Sequence, residues 1–225
     1  MTQENFTDLG LSFDKVAQLY DAVRPGYPSL LFEDLLNFSK IKPSATILDI
    51  GCGTGKSTKP LASRGFSIYA LDPGDSMLNI CQKNLSEYRK IKYVNSSFET
   101  WSPNGTLFDL IVSGTAFHWV DEMAYQKLAS MLTPNGAIGI FWHTYLKSDD
   151  NQFDEICRDH APSLYSDDIQ VSLELGDKKR EEQMLSITGF DNWRVVRYYD
   201  HMRYNSTSYV GLLRTWSSHT NLPES

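Results

Sequence analysis

The sequence contains few cysteines and no apolar segment long enough to cross a membrane. Its three cysteines, Cys52, Cys81 and Cys157, are widely spaced and show no C-x-x-C pattern of the kind that binds zinc. An odd number of isolated cysteines is typical of a reducing compartment, so we expect a cytoplasmic protein without a metal site. No apolar run approaches the ~20 residues of a transmembrane helix, and the amino terminus lacks the pattern of a secretory signal.

Basic residues are scarce relative to acidic ones. Lys and Arg together number 21 against 28 Asp and Glu, which gives a net charge of −7. Nucleic acids and anionic lipid surfaces attract positively charged proteins, so we expect neither as a partner. The hydrophobic fraction of 41% is ordinary for a globular protein, and 225 residues suit one domain, with or without a cap.

An apolar, β-branched segment that runs into a glycine-rich turn is the most informative feature of the chain. Thr46–Ile50 predicts a buried parallel strand. Glycines follow at three alternate positions, Gly51, Gly53 and Gly55. Backbone without a Cβ can approach a ligand closely. A second apolar segment, Phe66–Leu71, ends at Asp72, where an acidic side chain can accept hydrogen bonds from a ribose, as in nucleotide-binding α/β folds.

Several interpretations of this turn compete. The dinucleotide fingerprint G-x-G-x-x-G fails because its third glycine would fall on Lys56, and the P-loop fails because its first glycine would fall on Ile50. The D-x-G-x-G-x-G loop of class I S-adenosylmethionine-dependent methyltransferases fits residues 49–55 without a gap. An NAD- or ATP-dependent enzyme and a non-catalytic nucleotide-binding or interaction protein stay as alternatives.

The chain resembles class I methyltransferases in three further stretches. Residues 72–78 are similar to the family's D-x-S-x-x-M-L stretch, and residues 117–121 resemble the F-H-W motif of small-molecule members related to trans-aconitate methyltransferases. Residues 20–28 also resemble those enzymes. The resemblance implies S-adenosylmethionine as cofactor, S-adenosylhomocysteine as product, and a small-molecule acceptor that attacks the sulfonium methyl group in line.

The same resemblance implies a set of site residues. Those expected at the cofactor are Tyr20, Arg24, Asp49, Gly51, Cys52, Gly53, Thr54, Gly55, Asp72, Pro73, Met77, Ser97, Phe98, Ser113 and Gly114. His118 and Trp119 are the candidates for catalysis on the acceptor side. His118 can act as a general base, bind a substrate carboxylate, or hydrogen-bond a neighbour as a structural residue.

Strand-like and helical segments alternate along the chain. This pattern predicts an α/β fold, a doubly wound, Rossmann-like, mostly parallel sheet with helices on both faces. The predicted strands are Thr46–Ile50, Phe66–Leu71, Ile91–Asn95, Phe108–Val112, Ala137–Trp142 and, as a sixth, Trp193–Tyr204. The predicted helices are Phe13–Tyr20, Ser29–Phe38, Ser57–Ser63, Ser76–Leu85, a helix capped by Asp121 that extends to Met131, and Thr207–Trp216. In the second helix we expect an inward face made of Leu30, Leu31, Leu35 and Leu36.

We expect a single methyltransferase domain over residues 1–225. Residues 1–40 would form a helical lid, 41–142 the cofactor-binding core, 143–190 a substrate cap, and 191–225 a carboxyl-terminal strand and helix. The polar, Pro-containing stretch from Ser217 to Ser225 cannot form a strand. We therefore expect a six-stranded sheet, or a chain that lacks its carboxyl-terminal end.

Overall fold

The computed structural model describes residues 13–144, 178–182, 184–185 and 187–216. The chain forms two compact units, residues 1–141 together with 192–225, and residues 142–191. Most of the predicted cap lies outside the described residues, as do the last nine residues. The first unit carries the sheet and every residue of the predicted site.

A parallel sheet of five strands forms the centre of the described part of the first unit. Its strands are β1 (Thr46–Ile50), β2 (Ser67–Asp72), β3 (Ile91–Asn95), β4 (Phe108–Gly114) and β5 (Leu132–Phe141). They pair in the order β3-β2-β1-β4-β5, and every pairing is parallel. The predicted α/β fold is confirmed. Because parallel strands end at one edge, the loops after β1, β2 and β4 meet there.

The two central strands are buried because they are apolar on both faces. Ile47 and Leu48 of β1 are fully buried, as are Leu110 and Val112 of β4. Such continuous apolar strands suit a parallel sheet that helices cover on both sides. The same burial forces the one acidic residue of β1, Asp49, into the interior, where it needs hydrogen-bond partners.

The helices fall where the sequence predicts them, with shifted ends. They are α1 (Ala17–Val23), α2 (Ser29–Ser39), α3 (Thr58–Ala62), α4 (Asp75–Asn84), α5 (Gln126–Ser130) and α6 (Ser206–Arg214). Short 3₁₀ helices cover Phe13–Val16, Phe117–Trp119 and Glu122–Tyr125. The predicted helix cap at Asp121 is confirmed, because its carboxylate accepts the N–H of Met123 at 2.8 Å.

The inward face of α2 differs from the predicted one. Leu30 is 54% exposed, whereas Phe32 is fully buried. The Phe32 ring packs edge-on against Tyr27 and Phe141, with ring centroids 6.4 and 5.8 Å apart. Leu35 and Leu36 lie three and four residues after Phe32, on the same helix face, and pack against the same core. Leu30 lies two residues away, and helix geometry turns that position outward.

The predicted sixth strand is wrong. Residues 191–205 have no regular secondary structure, and within them Trp193, Val195 and Tyr199 are 43%, 60% and 76% exposed. Aromatic and β-branched residues favour a strand only when a neighbouring strand and a covering layer are present. The sheet of the described residues therefore has five strands instead of six. The chain after this segment forms α6, which a capping box between Asn205 and Ser208 starts.

Phe32→Ala should lower the free energy of unfolding by about 3–5 kcal/mol, because it empties a fully buried site between two rings. Phe38→Ala is the matched control on the same helix, since Phe38 is 41% exposed; we expect less than about 1 kcal/mol. Urea unfolding followed by circular dichroism measures both. Equal losses for the two variants would contradict this description of the core.

Candidate functional site

The glycine loop after β1 is held by backbone hydrogen bonds to the neighbouring strand. The N–H groups of Gly51 and Cys52 both donate to the carbonyl oxygen of Leu71, at 2.8 and 3.0 Å. The N–H of Gly55 then donates to the carbonyl oxygen of Cys52 at 2.9 Å, which closes the turn. The loop is thus fixed against the end of β2, where Asp72 follows.

The three alternate glycines serve two different purposes. A Cβ on Gly51 would lie 2.4 Å from the Cβ of Ala116, and one on Gly55 would lie 2.9 Å from Cys81 Sγ. These two glycines therefore let the loop pack against the protein itself. A Cβ on Gly53 would meet nothing within 4 Å, although its φ of 53° lies in the left-handed region. Gly53 borders open space, as expected for backbone that faces a ligand.

Asp49 lies beneath the loop and ties it to α3. One of its oxygens, Oδ2, accepts hydrogen bonds from Ser57 Oγ at 2.8 Å and Thr58 Oγ1 at 2.6 Å. Burial raises the pKa of Asp49 to about 6, and the bonds from Thr58 and Ser57 oppose that rise. Its other oxygen, Oδ1, and the Thr54 hydroxyl are buried without a hydrogen-bond partner. Two buried polar atoms at one turn thus have unused hydrogen-bonding capacity.

Asp72 joins the loops that follow β1 and β2. Its Oδ2 accepts the N–H of Gly53 at 2.8 Å, and its Oδ1 accepts the N–H of Gly74 at 2.9 Å. Burial raises the pKa of Asp72 to about 6, the Gly74 and Gly53 N–H groups oppose the rise, and the nearby Asp14 charge adds to it. A carboxylate has about four acceptor positions, so each oxygen can accept one more donor.

Other predicted cofactor residues surround the same edge of the sheet. Ser97 and the buried Phe98 follow β3, and the Ser97 hydroxyl bonds Thr100 Oγ1 at 3.1 Å. Asn95, the last residue of β3, donates to the carbonyl oxygen of Pro73 at 3.2 Å, which links the ends of β3 and β2. Met77, the third residue of α4, is buried below them.

The end of β4 forms the opposite side of this edge. The Ser113 hydroxyl is buried and donates to the carbonyl oxygen of Ile50 at 2.7 Å, so it fixes β4 to β1. A Cβ on Gly114 would lie 2.7 Å from the hydroxyl of Tyr27, which itself hydrogen-bonds Thr115 at 2.8 Å. Ser113 therefore joins β4 to β1, and Gly114 lets Tyr27 pack closely against the end of β4.

The F-H-W motif forms a short 3₁₀ helix just after β4. Phe117 is fully buried and stacks on Tyr125, with ring centroids 4.7 Å apart. His118 and Trp119 are half-buried neighbours with ring centroids 4.5 Å apart. The Trp119 ring contacts Phe13 edge-on at 6.0 Å. The buried Phe117 therefore anchors the two predicted catalytic side chains at the carboxyl edge of β4.

Arg24 lies against the carboxyl-terminal helix. Its Nε and Nη2 donate to the hydroxyl and the carbonyl oxygen of Thr215, at 2.8 and 2.7 Å. Its guanidinium also lies 5.2 Å from the ring centroid of Tyr20. The structure thus groups Tyr20 and Arg24 with the end of α6. Contact of these two residues with the cofactor remains a prediction from resemblance.

Sequence reasoning missed several polar residues that hold the edge together. Asp14 accepts the N–H of Met77 at 3.0 Å. Lys56 lies 3.7 Å from the Asp21 carboxylate, to which Asn84 also donates at 3.1 Å. These partners are separated by 35 or 63 residues, so no local spacing reveals them.

The part of the chain that the structure describes has neither a metal-binding cluster nor a membrane-spanning helix. Among the described residues, no group of three or more His, Cys, Asp or Glu side chains could hold a metal ion. None of the helices described here is long and apolar enough to span a bilayer.

Comparison with known proteins agrees with the geometry. Residues 47–136 match the family described as "Methyltransferase domain". A Saccharomyces cerevisiae relative, named "Probable S-adenosylmethionine-dependent methyltransferase CRG1", is 31% identical over 72% of this chain and 56% of its own length. The malonyl-(acyl-carrier protein) O-methyltransferase of Halalkalibacterium halodurans is 31% identical over 56% of this chain and 51% of its own length. The chain spans about half the length of the curated relatives it matches.

A solved structure shares the fold. It comes from Methanococcus maripaludis, is assigned to the S-adenosyl-L-methionine-dependent methyltransferases, and matches with a TM-score of 0.53 at 20% identity, over 83% of this chain and 84% of that one. Fold and geometry together define a Rossmann-like α/β protein with a glycine loop and a buried aspartate at the carboxyl edge of its sheet. Residues 47–136 match a methyltransferase domain, and the named relatives support the prediction of a class I S-adenosylmethionine-dependent methyltransferase. The chain's closer resemblance to trans-aconitate methyltransferases stays a prediction.

Gly55→Ala should lower the free energy of unfolding more than Gly53→Ala does. Positive φ costs an alanine about 1–2 kcal/mol at either position. At Gly55 the new methyl group would also lie 2.9 Å from Cys81 Sγ and Leu85 Cδ1, and such overpacking typically adds about 1–3 kcal/mol. Urea unfolding of the two variants without ligand measures the difference. Equal stabilities would show that Gly55 is not a packing requirement.

Proposed function

We propose that this chain transfers a methyl group from S-adenosylmethionine to a small-molecule acceptor. The observation that carries the proposal is the position of Asp72, whose two oxygens hold Gly53 and Gly74 and remain able to accept further donors. Open space beside Gly53 and the match of residues 47–136 to a methyltransferase domain support it. The acidic net charge of −7 favours a small acceptor over a nucleic acid.

The residues at this edge fit the parts of S-adenosylmethionine. Asp72 would accept hydrogen bonds from the ribose hydroxyls, the loop from Gly51 to Gly55 would lie along the amino-acid portion, and Ser97 with Phe98 would border the adenine. The unpartnered Oδ1 of Asp49 and hydroxyl of Thr54 supply further polar atoms below the loop. When bound, S-adenosylmethionine supplies a methyl group on a positively charged sulfur, which a nucleophilic acceptor atom attacks in line.

The charges near the loop favour a cationic cofactor over a phosphate. Asp49 and Asp72 are both buried there, and each carboxylate would repel a pyrophosphate or triphosphate. The neighbouring cation, Lys56, lies 3.7 Å from the Asp21 carboxylate, which compensates its charge. A sulfonium and an amino group suit this environment. The alternatives of an NAD- or ATP-dependent enzyme are therefore not favoured.

The protein's main contribution to catalysis would be orientation of the two reactants. Holding reactants in line can lower a barrier by about 7–11 kcal/mol in favourable cases. The anchored ends of β1 and β4 provide the rigidity this requires, because Ser113 Oγ bonds the Ile50 carbonyl and Phe117 stacks on Tyr125. His118 and Trp119 would contact the acceptor from this support.

His118 would either remove a proton from the acceptor or bind an acceptor carboxylate. The first role applies to an acceptor that must lose a proton and contributes roughly 10²–10⁴-fold. A carboxylate acceptor needs no base, and an imidazolium would then bind it through charge. The pH dependence of turnover separates the two roles, since a base must be neutral and an imidazolium must be protonated.

We propose that residues 1–40 act as a lid over the cofactor and residues 143–190 as a cap over the acceptor. The described part of the lid contacts the edge at three places. Phe13 packs edge-on against Trp119, Asp14 accepts the N–H of Met77, and Asp21 pairs with Lys56. These contacts support a lid that excludes water from the reacting atoms.

Asp72→Ala should weaken binding of S-adenosylhomocysteine at least about tenfold, because a hydrogen bond to a charged group contributes about 1.5–3 kcal/mol. Asp75→Ala is the matched control, since Asp75 is exposed three residues further on. Isothermal titration calorimetry measures the affinities, and circular dichroism confirms that each variant is folded. Unchanged affinity of a folded Asp72→Ala protein would refute the ribose role.

His118→Ala should reduce turnover by roughly 10²-fold or more if His118 is the base, while affinity for S-adenosylhomocysteine changes little. His201→Ala serves as control, because His201 is exposed in the segment before α6. A substrate-library assay that detects S-adenosylhomocysteine release identifies an acceptor for these measurements. Loss of cofactor binding, or full activity in the His118→Ala protein, would exclude the acceptor-side role.

A further inference from the structure

Lys127 of α5 places its ammonium group among the carbonyl oxygens of one turn. Its Nζ donates to the carbonyl oxygens of Phe98, Glu99 and Trp101, the last two at 3.3 and 3.1 Å. The same nitrogen lies 4.2 Å from the centroid of the Phe98 ring. An ammonium has three donors, so this turn can use all of them.

The turn that Lys127 binds is the one that follows β3. Within it, the N–H of Trp101 donates to the carbonyl oxygen of Ser97 at 3.1 Å, and the Ser97 and Thr100 hydroxyls bond each other. Asn95, just before the turn, donates to the carbonyl oxygens of Asp72 and Pro73. The turn therefore lies next to Asp72, on the side where the proposed function places the adenine.

Lys127 also connects this turn to the acceptor side. It belongs to the helical segment that follows the F-H-W motif, and the start of that segment is held by the same turn, because Glu99 Oε1 accepts the N–H of Asp121 at 3.0 Å. Burial lowers the pKa of Lys127, and the Glu99 charge opposes that change. Two contacts, Lys127 to the turn carbonyls and Glu99 to Asp121, thus join the two sides of the crevice.

We propose that Lys127 is a positioning residue for the cofactor, which acts through the backbone of Ser97 and Phe98. By binding the carbonyl oxygens of Phe98, Glu99 and Trp101, it holds the turn in the conformation in which the Ser97–Phe98 backbone would read the adenine edge. This inference rests on the proposed function, since it assigns Lys127 no contact with the cofactor itself. Loss of the ammonium would release the turn and weaken adenine recognition without changing the reacting atoms.

The test makes the same substitution, lysine to methionine, at two positions and compares the variants. Lys127→Met keeps the length of the side chain and removes its donors. Lys92→Met is the matched control, because Lys92 Nζ lies 4.7 Å from the Tyr69 ring centroid on β2 and so loses a similar contact away from the turn. Lys127→Arg keeps cationic donors, but its guanidinium is larger and planar, so it should restore the lost affinity only in part.

Three measurements are made on the wild type and on each variant. Calorimetry gives the affinity for S-adenosylhomocysteine and for its inosine analogue, which lacks the adenine amino group. Hydrogen exchange follows the amides of residues 97–101 and of β1. For Lys127→Met we expect about tenfold weaker binding of S-adenosylhomocysteine, which corresponds to about 1.4 kcal/mol, a smaller preference over the inosine analogue, and faster exchange in the turn alone. Lys92→Met should match the wild type in all three.

Some results would overturn the proposal. If Lys127→Met lowers thermal stability but keeps the affinity and the adenine preference of the wild type, Lys127 only packs α5 against the turn. If the Met variant does not fold, Lys127→Gln takes its place, and unchanged affinity there has the same meaning. A wild-type protein that fails to bind S-adenosylhomocysteine refutes the proposed function, and the adenine role of Lys127 with it; normal wild-type binding with an unaffected variant refutes the Lys127 proposal alone.

Discussion

The two hydrogen bonds of the buried Asp72 carboxylate are the interaction on which the carboxyl edge of the sheet depends. The carboxylate lies at the end of β2 and accepts one backbone N–H from the loop after β1 and one from the start of α4. A buried charge costs free energy unless hydrogen bonds compensate it; burial raises the pKa of Asp72 to about 6, although these two bonds oppose the rise. The same contacts that fix the loops therefore leave a carboxylate that further donors would stabilise.

A second buried carboxylate adds to the acidic character of this edge. Asp49 lies under the glycine loop, bonded to Ser57 and Thr58 through one oxygen only. Together with Asp72 it places two acidic side chains beside the glycines, and two negative charges there would favour a cation over a phosphate. The sulfonium cofactor of the proposed function fits this charge. The glycines provide room, and the carboxylates would favour a cationic ligand in it.

Long-range polar contacts connect this edge to segments far away in the sequence. Lys56 and Asn84 hold Asp21 of α1, and Lys127 holds the turn after β3. Lys56 and Lys127 thus bind carbonyl oxygens and a carboxylate of the protein itself. A site that orients two reactants needs rigid support of this kind, because small displacements at the reacting atoms are costly for the rate.

The sequence by itself determined the α/β class, four strands nearly to the residue, the glycine loop and Asp72, because each depends on residues close together in the chain. Only the tertiary structure decided the remainder. Trp193–Tyr204 has the composition of a strand but no strand beside it, so its propensity is not realised. Contacts such as Lys127 with Phe98 join residues 29 apart in sequence. They form because the parallel strands bring distant loops to one edge, which no local pattern records.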